Sequence, residues 1–257
     1  SLFGSKLMLR GEPGAEYITP LVFMIVLGTV LLNATTARLF AKLVGVFLMK
    51  SEGILIIGAS KLSRLIGNYL RKNNRHVVLI DNNQNNVEKA KKLGLEAISA
   101  NIFSDTLTDN IELNDMGYLM ALTGNSDINK FAINKFQRQF GENGAFRLVN
   151  TDEVNDPENN PKEGLFSHTD DFIQLMDTVR KHPTIHEIDL EDKEHYDKLI
   201  DITYEQRDVV PLFTKDPNGS IEIIPANSKD FTPKGEGYKL VYLGKILEVE
   251  KNTQEEE

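Results

Sequence analysis

The chain contains no cysteine, which excludes disulfide frameworks, thiolate zinc sites and cysteine nucleophiles together. That composition fits a reducing compartment. Its five histidines, His76, His168, His182, His186 and His195, show no metal-ligand spacing with one another and read as ordinary surface residues. The nucleophile motif G-x-S-x-G, the P-loop and the H-E-x-x-H helix are missing as well. With no acid, base or substrate pocket to point to, the chain is not expected to be an enzyme, and an independent dehydrogenase is the least expected of all. One stretch also lacks charge altogether: no Asp, Glu, Lys or Arg occurs from Leu21 to Ala37.

What is present is otherwise ordinary. In 257 residues, 40% hydrophobic and 26% charged, there is room for one or two globular domains with a real core. The net charge of -9 is unevenly spread, because Ser1 to Lys50 carries five Lys or Arg against two Glu and the remainder is strongly acidic. An acidic body argues against nucleic acid as a partner. The chain opens at Ser1 rather than methionine, with no cleavable signal ahead of its apolar segment, and is expected to be a fragment of something longer.

The organising stretch is Gly53 to Asp81, GILIIGASKLSRLIGNYLRKNNRHVVLID. Ile54 to Ile57 is a short continuous apolar run, as in a parallel strand buried on both faces, and Gly58 follows where the backbone must turn tightly into a helix. Leu62, Leu65, Ile66, Tyr69 and Leu70 form a helical stripe that packs back on a sheet. Val77 to Ile80 is a second apolar run, closed by Asp81. An acid about twenty positions beyond the first glycine sits where a ribose diol is gripped, although an acid at a strand end also serves as a helix cap. Its charge would repel a 2'-phosphate, which favours NAD or an adenine nucleotide over NADP.

The uncharged segment, extended by Tyr17 and Ile18 ahead of Pro20, reaches about 20 residues and is expected to span a membrane, with Pro20 in its first turn. Thr29, Asn33 and Thr36 fall on one helical face, with Gly28 beside them. Threonines can bond their own carbonyls one turn back, but a carboxamide facing lipid forgoes hydrogen bonds worth several kcal/mol. This face is therefore expected to pack on further transmembrane helices outside this chain. Arg38, Lys42 and Lys50 meet no acid until Glu52, whereas Glu12 and Glu16 offset Lys6 and Arg10, so residues from about 38 onward are expected in the cytoplasm. Leu39 to Met49 reads as an amphipathic extension along the inner interface, or as a segment packed under the soluble domain.

Beyond Asp81, Asn82 to Asn86 is a turn and Val87 to Leu93 a short helix ended by Gly94. Glu96 to Ala100 is a third strand, Ser104 caps a helix through Leu107 and Ile111, and Tyr118 to Leu122 is a fourth strand. Thr123 to Asp127 is a polar turn opening a helix with Ile128, Phe131, Ala132, Phe136 and Phe140 on its apolar face; Thr123 and Asn125 either touch ligand or cap that helix, and Asn129 faces either way. Ala145 to Val149 is a fifth strand. This alternation is the pattern of a doubly wound parallel sheet, a Rossmann-like α/β fold. Thr151 to Gly164, rich in Asp, Asn, Pro and Glu, reads as a boundary loop. Asp170 to Lys181 is a helix too greasy to stand alone, expected to meet a partner subunit or the second domain. A β-rich lobe follows: Ile185 to Leu190, Val209 to Thr214, Ile221 to Pro225, Tyr238 to Leu243 and Ile246 to Val249, interrupted by a helix from Glu194 to Asp201. The expected division is 1–50 for the loop, membrane helix and extension, 51–164 for the nucleotide-binding domain, 165–250 for the dimerisation helix and β-rich α+β lobe, and 251–257 for an acidic disordered tail.

From Tyr17 to about Glu250 the chain resembles the C-terminal part of a bacterial monovalent cation:proton (Na+/H+) antiporter, its last transmembrane helix followed by a TrkA-N, or regulator-of-K+-conductance (RCK), domain. The resemblance rests on TVLLNATTARLFAKLVGV as the final span, ILIIGASKLSRLIGNYL as the nucleotide loop, VVLID as the second strand, ALTGNSDIN as the fourth strand with its Thr-Gly-Asn turn, and Tyr238 to Leu243, after Pro233 and Gly235, as the last hairpin of an RCK-C-like lobe. Ser60 and Ser63 stand where the family has its second and third glycines, and Ala100-Asn101 where it has Gly-Asp. Lys61 and Arg64 add positive charge at the start of the loop's helix. The resemblance implies NAD(H) or another adenine nucleotide held by Gly58, Ser60, Lys61, Ser63, Arg64, Asp81, Asn82, Asn101, Thr123 and Asn125. It further implies a homodimeric, ligand-sensing region on the inner membrane that gates Na+ or K+ exchange for protons. The alternatives are a structural dimerisation module without nucleotide and an RCK-type subunit of a K+ channel or uptake system.

Overall fold

The computed structural model describes residues 2–44, 52–104, 115–156, 161–166, 170–226 and 237–247. The chain divides into two compact units, Ser1–Met49 and Lys50–Glu257.

In the first unit, α1 (Leu2–Leu9) and a 3-10 turn (Ala15–Tyr17) precede α2 (Ile18–Val44). Pro20 lies in the first turn of α2, where a missing N–H leaves no helical bond unmade. The stretch Ala15–Ala37, whose most apolar 18-residue window has a mean hydropathy of 2.0 and no buried residue, is long and apolar enough to cross a membrane. Thr29, Thr35 and Thr36 each donate to a carbonyl one turn back, at 2.9, 2.8 and 2.6 Å, so these hydroxyls are satisfied within the helix. The Asn33 carboxamide has no such bond among the described residues. The expected extension continues helically to Val44, and its remainder lies outside the described residues.

The second unit begins with β1 (Gly53–Ile57), α3 (Lys61–Lys72), β2 (Val77–Asp81), α4 (Gln84–Lys92) and β3 (Glu96–Ser99). Then come β4 (Met116–Ala121), α5 (Ser126–Phe140), β5 (Gly144–Leu148), α6 (Thr151–Val154) and β6 (Gly164–Leu165). The six strands form one sheet in the order β3-β2-β1-β4-β5-β6, every neighbouring pair parallel. Ile54 and Ile56 point into one core with Leu62, Ile66 and Leu70 of α3, while Leu55 and Ile57 point into the other with Ala132 and Phe136 of α5. That double burial is why β1 reads as a continuous apolar run, each such side chain contributing roughly 1.5–3 kcal/mol.

The chain then forms α7 (Phe172–Lys181), β7 (Ile185–Asp189), α8 (Lys193–Glu205), β8 (Val209–Lys215), β9 (Ile221–Ile223) and β10 (Lys239–Gly244). Its four strands pair antiparallel in the order β7-β10-β8-β9. Leu212, Phe213, Val241 and Leu243 on one face join the core that holds α3 and α7, and Leu240 and Tyr242 on the other meet Tyr196 and Leu199 of α8. Tyr69 of α3 stacks on Phe213 and donates to Glu187 of β7 at 2.8 Å, so the two sheets share packing as well as sequence.

Part of the apolar side of α7 meets the second lobe, one of the two coverings expected: Leu175, Thr178 and Val179 are buried between α3 and β10, while Ile173 is 74% exposed. Other elements differ from expectation. The Asp- and Asn-rich stretch after β5 holds a short helix, because Asn150 and Glu153 make a reciprocal capping box that starts α6. It is followed by the short strand β6, whose two residues carry no periodicity. Residues 246 and 247 are not in a strand. The helix expected through Leu107 and Ile111, the rest of the last strand and the acidic tail lie outside the described residues.

Candidate nucleotide site

The order of the parallel strands reverses between β1 and β4, and in such sheets ligands bind outside the carboxyl ends of the strands at that point. A cavity of about 240 Å³ lies there. Ile57 and Ile80, near the ends of β1 and β2, and Leu122, just past β4, line it together with Ala100 to Phe103, Gly124 and Phe172. A larger depression of about 1060 Å³ has walls from α7 and α8 with long charged side chains such as Arg180 and Arg207. It does not sit on strand ends, whereas the smaller cavity does.

Gly58 turns the chain out of β1 with φ +100, and its N–H donates to the Ile80 carbonyl at 2.7 Å. A Cβ there would lie 3.1 Å from Thr123 Cγ2 and 3.2 Å from the Leu122 carbonyl, so the left-handed backbone and the close crossing of β4 both demand glycine. Ser60 then caps α3: its Oγ accepts from the Ser63 N–H at 3.2 Å and lies 3.0 Å from Ser63 Oγ. The amides of Lys61 and Leu62, the next donors of the first turn, make no bond among the described residues. A helix start of this kind suits an anion.

Asp81 ties the two loops together. Its Oδ2 accepts from the Ala59 N–H at 2.8 Å and from Asn86 Nδ2 at 3.2 Å, and its Oδ1 accepts from the Asn83 N–H at 2.8 Å. Acceptor capacity remains on Oδ1, since a carboxylate oxygen takes two bonds. Arg64 donates to the Ala59 carbonyl at 2.5 Å. Burial lowers the pKa of its guanidinium, with the nearby Asp81 charge opposing that shift.

Of the residues expected in the site, Gly58, Ser60, Asp81, Asn82, Asn101 and Thr123 line the cavity. Ser63 is fully buried behind Ser60. Lys61 is exposed and borders the larger depression, Arg64 is held against Ala59, and Asn125 caps α5 by accepting from Asp127 and Ile128. Asn129 is buried: its Oδ1 accepts from the Thr123 N–H and hydroxyl at 3.1 and 2.7 Å, and its Nδ2 donates to the Thr123 carbonyl at 2.9 Å. That buried amide therefore holds the Thr-Gly-Asn turn and leaves little for a ligand. Asn86, Ile102, Phe103, Ile128 and Phe172 also line the cavity and were not anticipated. Asn86 had a signal, lying in the polar turn after Asp81. Phe172 had none, because only the return of α7 brings it here.

Residues 54–156 match the family model of the TrkA-N domain. Among curated proteins no match is found. Among solved structures the chain is similar to the GsuK channel, at 13% identity and a TM-score of 0.39, over 76% of this chain and 36% of that one. It is also similar to N5-carboxyaminoimidazole ribonucleotide synthetase from Thermotoga maritima, at 19% identity and a TM-score of 0.28, over 77% of this chain and 47% of that one. N5-carboxyaminoimidazole synthetase from Staphylococcus aureus follows at 15% identity and a TM-score of 0.28, covering 76% of this chain and 47% of that one. The chain spans less than half the length of each of these structures.

Proposed function

We propose that this chain is the regulatory region of a membrane monovalent cation:proton antiporter, in which an adenine nucleotide or NAD(H) bound at the switch-point cavity gates exchange of Na+ or K+ for protons. The observation that carries the proposal is Asp81 beside the positive-φ turn at Gly58, at the point of strand reversal and within the segment that matches the TrkA-N domain. An acid in that place suits a ribose diol, and the open amides of α3 suit a phosphate. The apolar helix α2 supports attachment to a membrane, with the following unit on the cytoplasmic side and further transmembrane helices as partners. A second copy of the chain is the expected partner of the soluble unit.

No carboxylate occurs from Leu21 to Ala37, so the ion-coupling acid belongs to other helices of the transporter. The role of this chain is then to bias their equilibrium, which a ligand achieves only by binding two states unequally. Titrating the chain in detergent micelles with NAD, NADH, ATP, ADP and AMP tests this reading, with thermal stabilisation by at least one as the expected result. No shift with any of them would leave a dimerisation module without ligand. The Ser60–Ser63 pairing, which uses hydroxyls inside the chain, favours that second reading.

A further inference from the structure

We infer that the cavity takes a single adenine mononucleotide, and that Phe172, at the start of α7, excludes the second half of a dinucleotide. The inference rests on the nucleotide-binding reading and narrows its ligand. A dinucleotide lies across a switch point with one half over each side of the sheet. Asp81 and the amides of α3 define the half over β1, β2 and β3. The other half must pass over the turn after β4, at Thr123 and Gly124.

That passage is occupied. The ring of Phe172 packs so closely on Gly124 that a Cβ on the glycine would lie 2.8 Å from both Cδ1 and Cε1. On the near side of the ring the space is about 240 Å³, just below the roughly 300–1,000 Å³ of pockets that enclose drug-sized ligands. On the far side, toward Asn150, Thr151 and Asp171, it is about 90 Å³. One nucleotide half has room, and the other does not.

Phe172 is anchored from both directions. Asp171, 9% exposed, accepts from the N–H groups of Ile173 and Gln174 at 2.9 and 3.1 Å, while its own N–H donates to Gln174 Oε1 at 2.7 Å. The Thr151 hydroxyl donates to Asp171 Oδ2 at 2.7 Å, tying the start of α7 to the start of α6. Leu175 and Val179 bury the following turns. The near half, in contrast, offers partners for each part of a mononucleotide: Oδ1 of Asp81 for the ribose, the start of α3 at Ser60, which lines the cavity, for phosphate, and Ile102 with the half-exposed Phe103 ring for the base.

The test is calorimetric titration of the full chain in detergent with AMP and with NAD, repeated on Phe172→Ala and on the milder Phe172→Leu. The inference expects AMP to bind the native chain at least as tightly as NAD. It also expects Phe172→Ala to raise NAD affinity relative to AMP by about tenfold or more, with Phe172→Leu between them. Retained AMP binding shows that each variant is folded; should Phe172→Ala lose it, Phe172→Leu decides. NAD binding the native chain tenfold more tightly than AMP, or an unchanged NAD:AMP ratio in a variant that still binds AMP, overturns the inference and leaves the nucleotide reading standing. Binding of neither ligand to the native chain overturns the inference, and the nucleotide reading falls with it if NADH, ATP and ADP also fail to bind.

Discussion

Asp81→Ala separates what this carboxylate does for the protein from what it does for a ligand. It accepts three hydrogen bonds within the chain, and their environments differ. Ala59 is fully buried, so removing the acceptor leaves its N–H unsatisfied, at a cost of about 1–3 kcal/mol. Asn83 is exposed and the Asn86 amide only partly buried, so water replaces most of what those two lose, and about 0.5 kcal/mol each is expected. The sum is about 3 kcal/mol, which for a unit of this size lowers the melting temperature by roughly 6–12 °C. Calorimetry of the native and variant chains without nucleotide measures it. A drop of less than about 2 °C would mean that Asp81 does not hold the two loops together and that its position serves a ligand alone.

Two further predictions concern charge. Arg147 is buried, pairs with both oxygens of Glu153 at 2.7 and 2.8 Å and reaches Glu163 at 3.3 Å, so Arg147→Met should leave an uncompensated carboxylate and destabilise the chain by about 3 kcal/mol in urea denaturation, with less than about 1 kcal/mol refuting it. His76 lies between Asp115 and Glu96 at 2.7 and 3.1 Å; burial alone would lower its pKa, but the hydrogen bonds to and charges of these carboxylates outweigh it and raise the pKa. Its stabilising contribution is then fully present below the unfolded value near 6.5 and is lost as pH rises through the raised folded value. With the side chain 40% exposed the effect stays under about 1 kcal/mol, so His76→Gln should destabilise the chain at about pH 6 and not at about pH 9, and an equal loss at both pH values would refute the ion pairs.

The parts of the site visible in the sequence are those built from neighbours along the chain. The apolar run Ile54 to Ile57, the turn at Gly58 and the acid at Asp81 each follow from local pattern, and they lie together because β1 and β2 pair directly. Asn125 shows the limit of that reasoning: an amide at a strand-to-helix turn suits a ligand and a cap equally, and only the bonds from Asp127 and Ile128 decide for the cap. The stretch after β5 misled for a related reason. Asp and Asn are abundant in loops, but they also start helices, as Asn150 and Asp171 both do through capping boxes. Phe172 was invisible because it looks like any apolar residue of an amphipathic helix. Its meaning comes from Gly124, reached only after the chain has completed the parallel sheet and turned back.

That return gives α7 two tasks at once. Its first residue walls the cavity, and its later residues Leu175 and Val179 lie in the core shared with Phe213 and Val241 of the antiparallel sheet. A close-packed core does not absorb a displaced ring by local give, because its packing leaves few voids. A ligand large enough to displace Phe172 must therefore shift the start of α7, and the strain is carried toward β10, against which the helix packs. A ligand confined to the near half rests against the ring without displacing it, because Phe172 lines that half too. Selection between one nucleotide and two, and the position of the lobe relative to the parallel sheet, then depend on the same ten-residue helix, so a nucleotide that signals through the lobe does so by its contacts with Phe172.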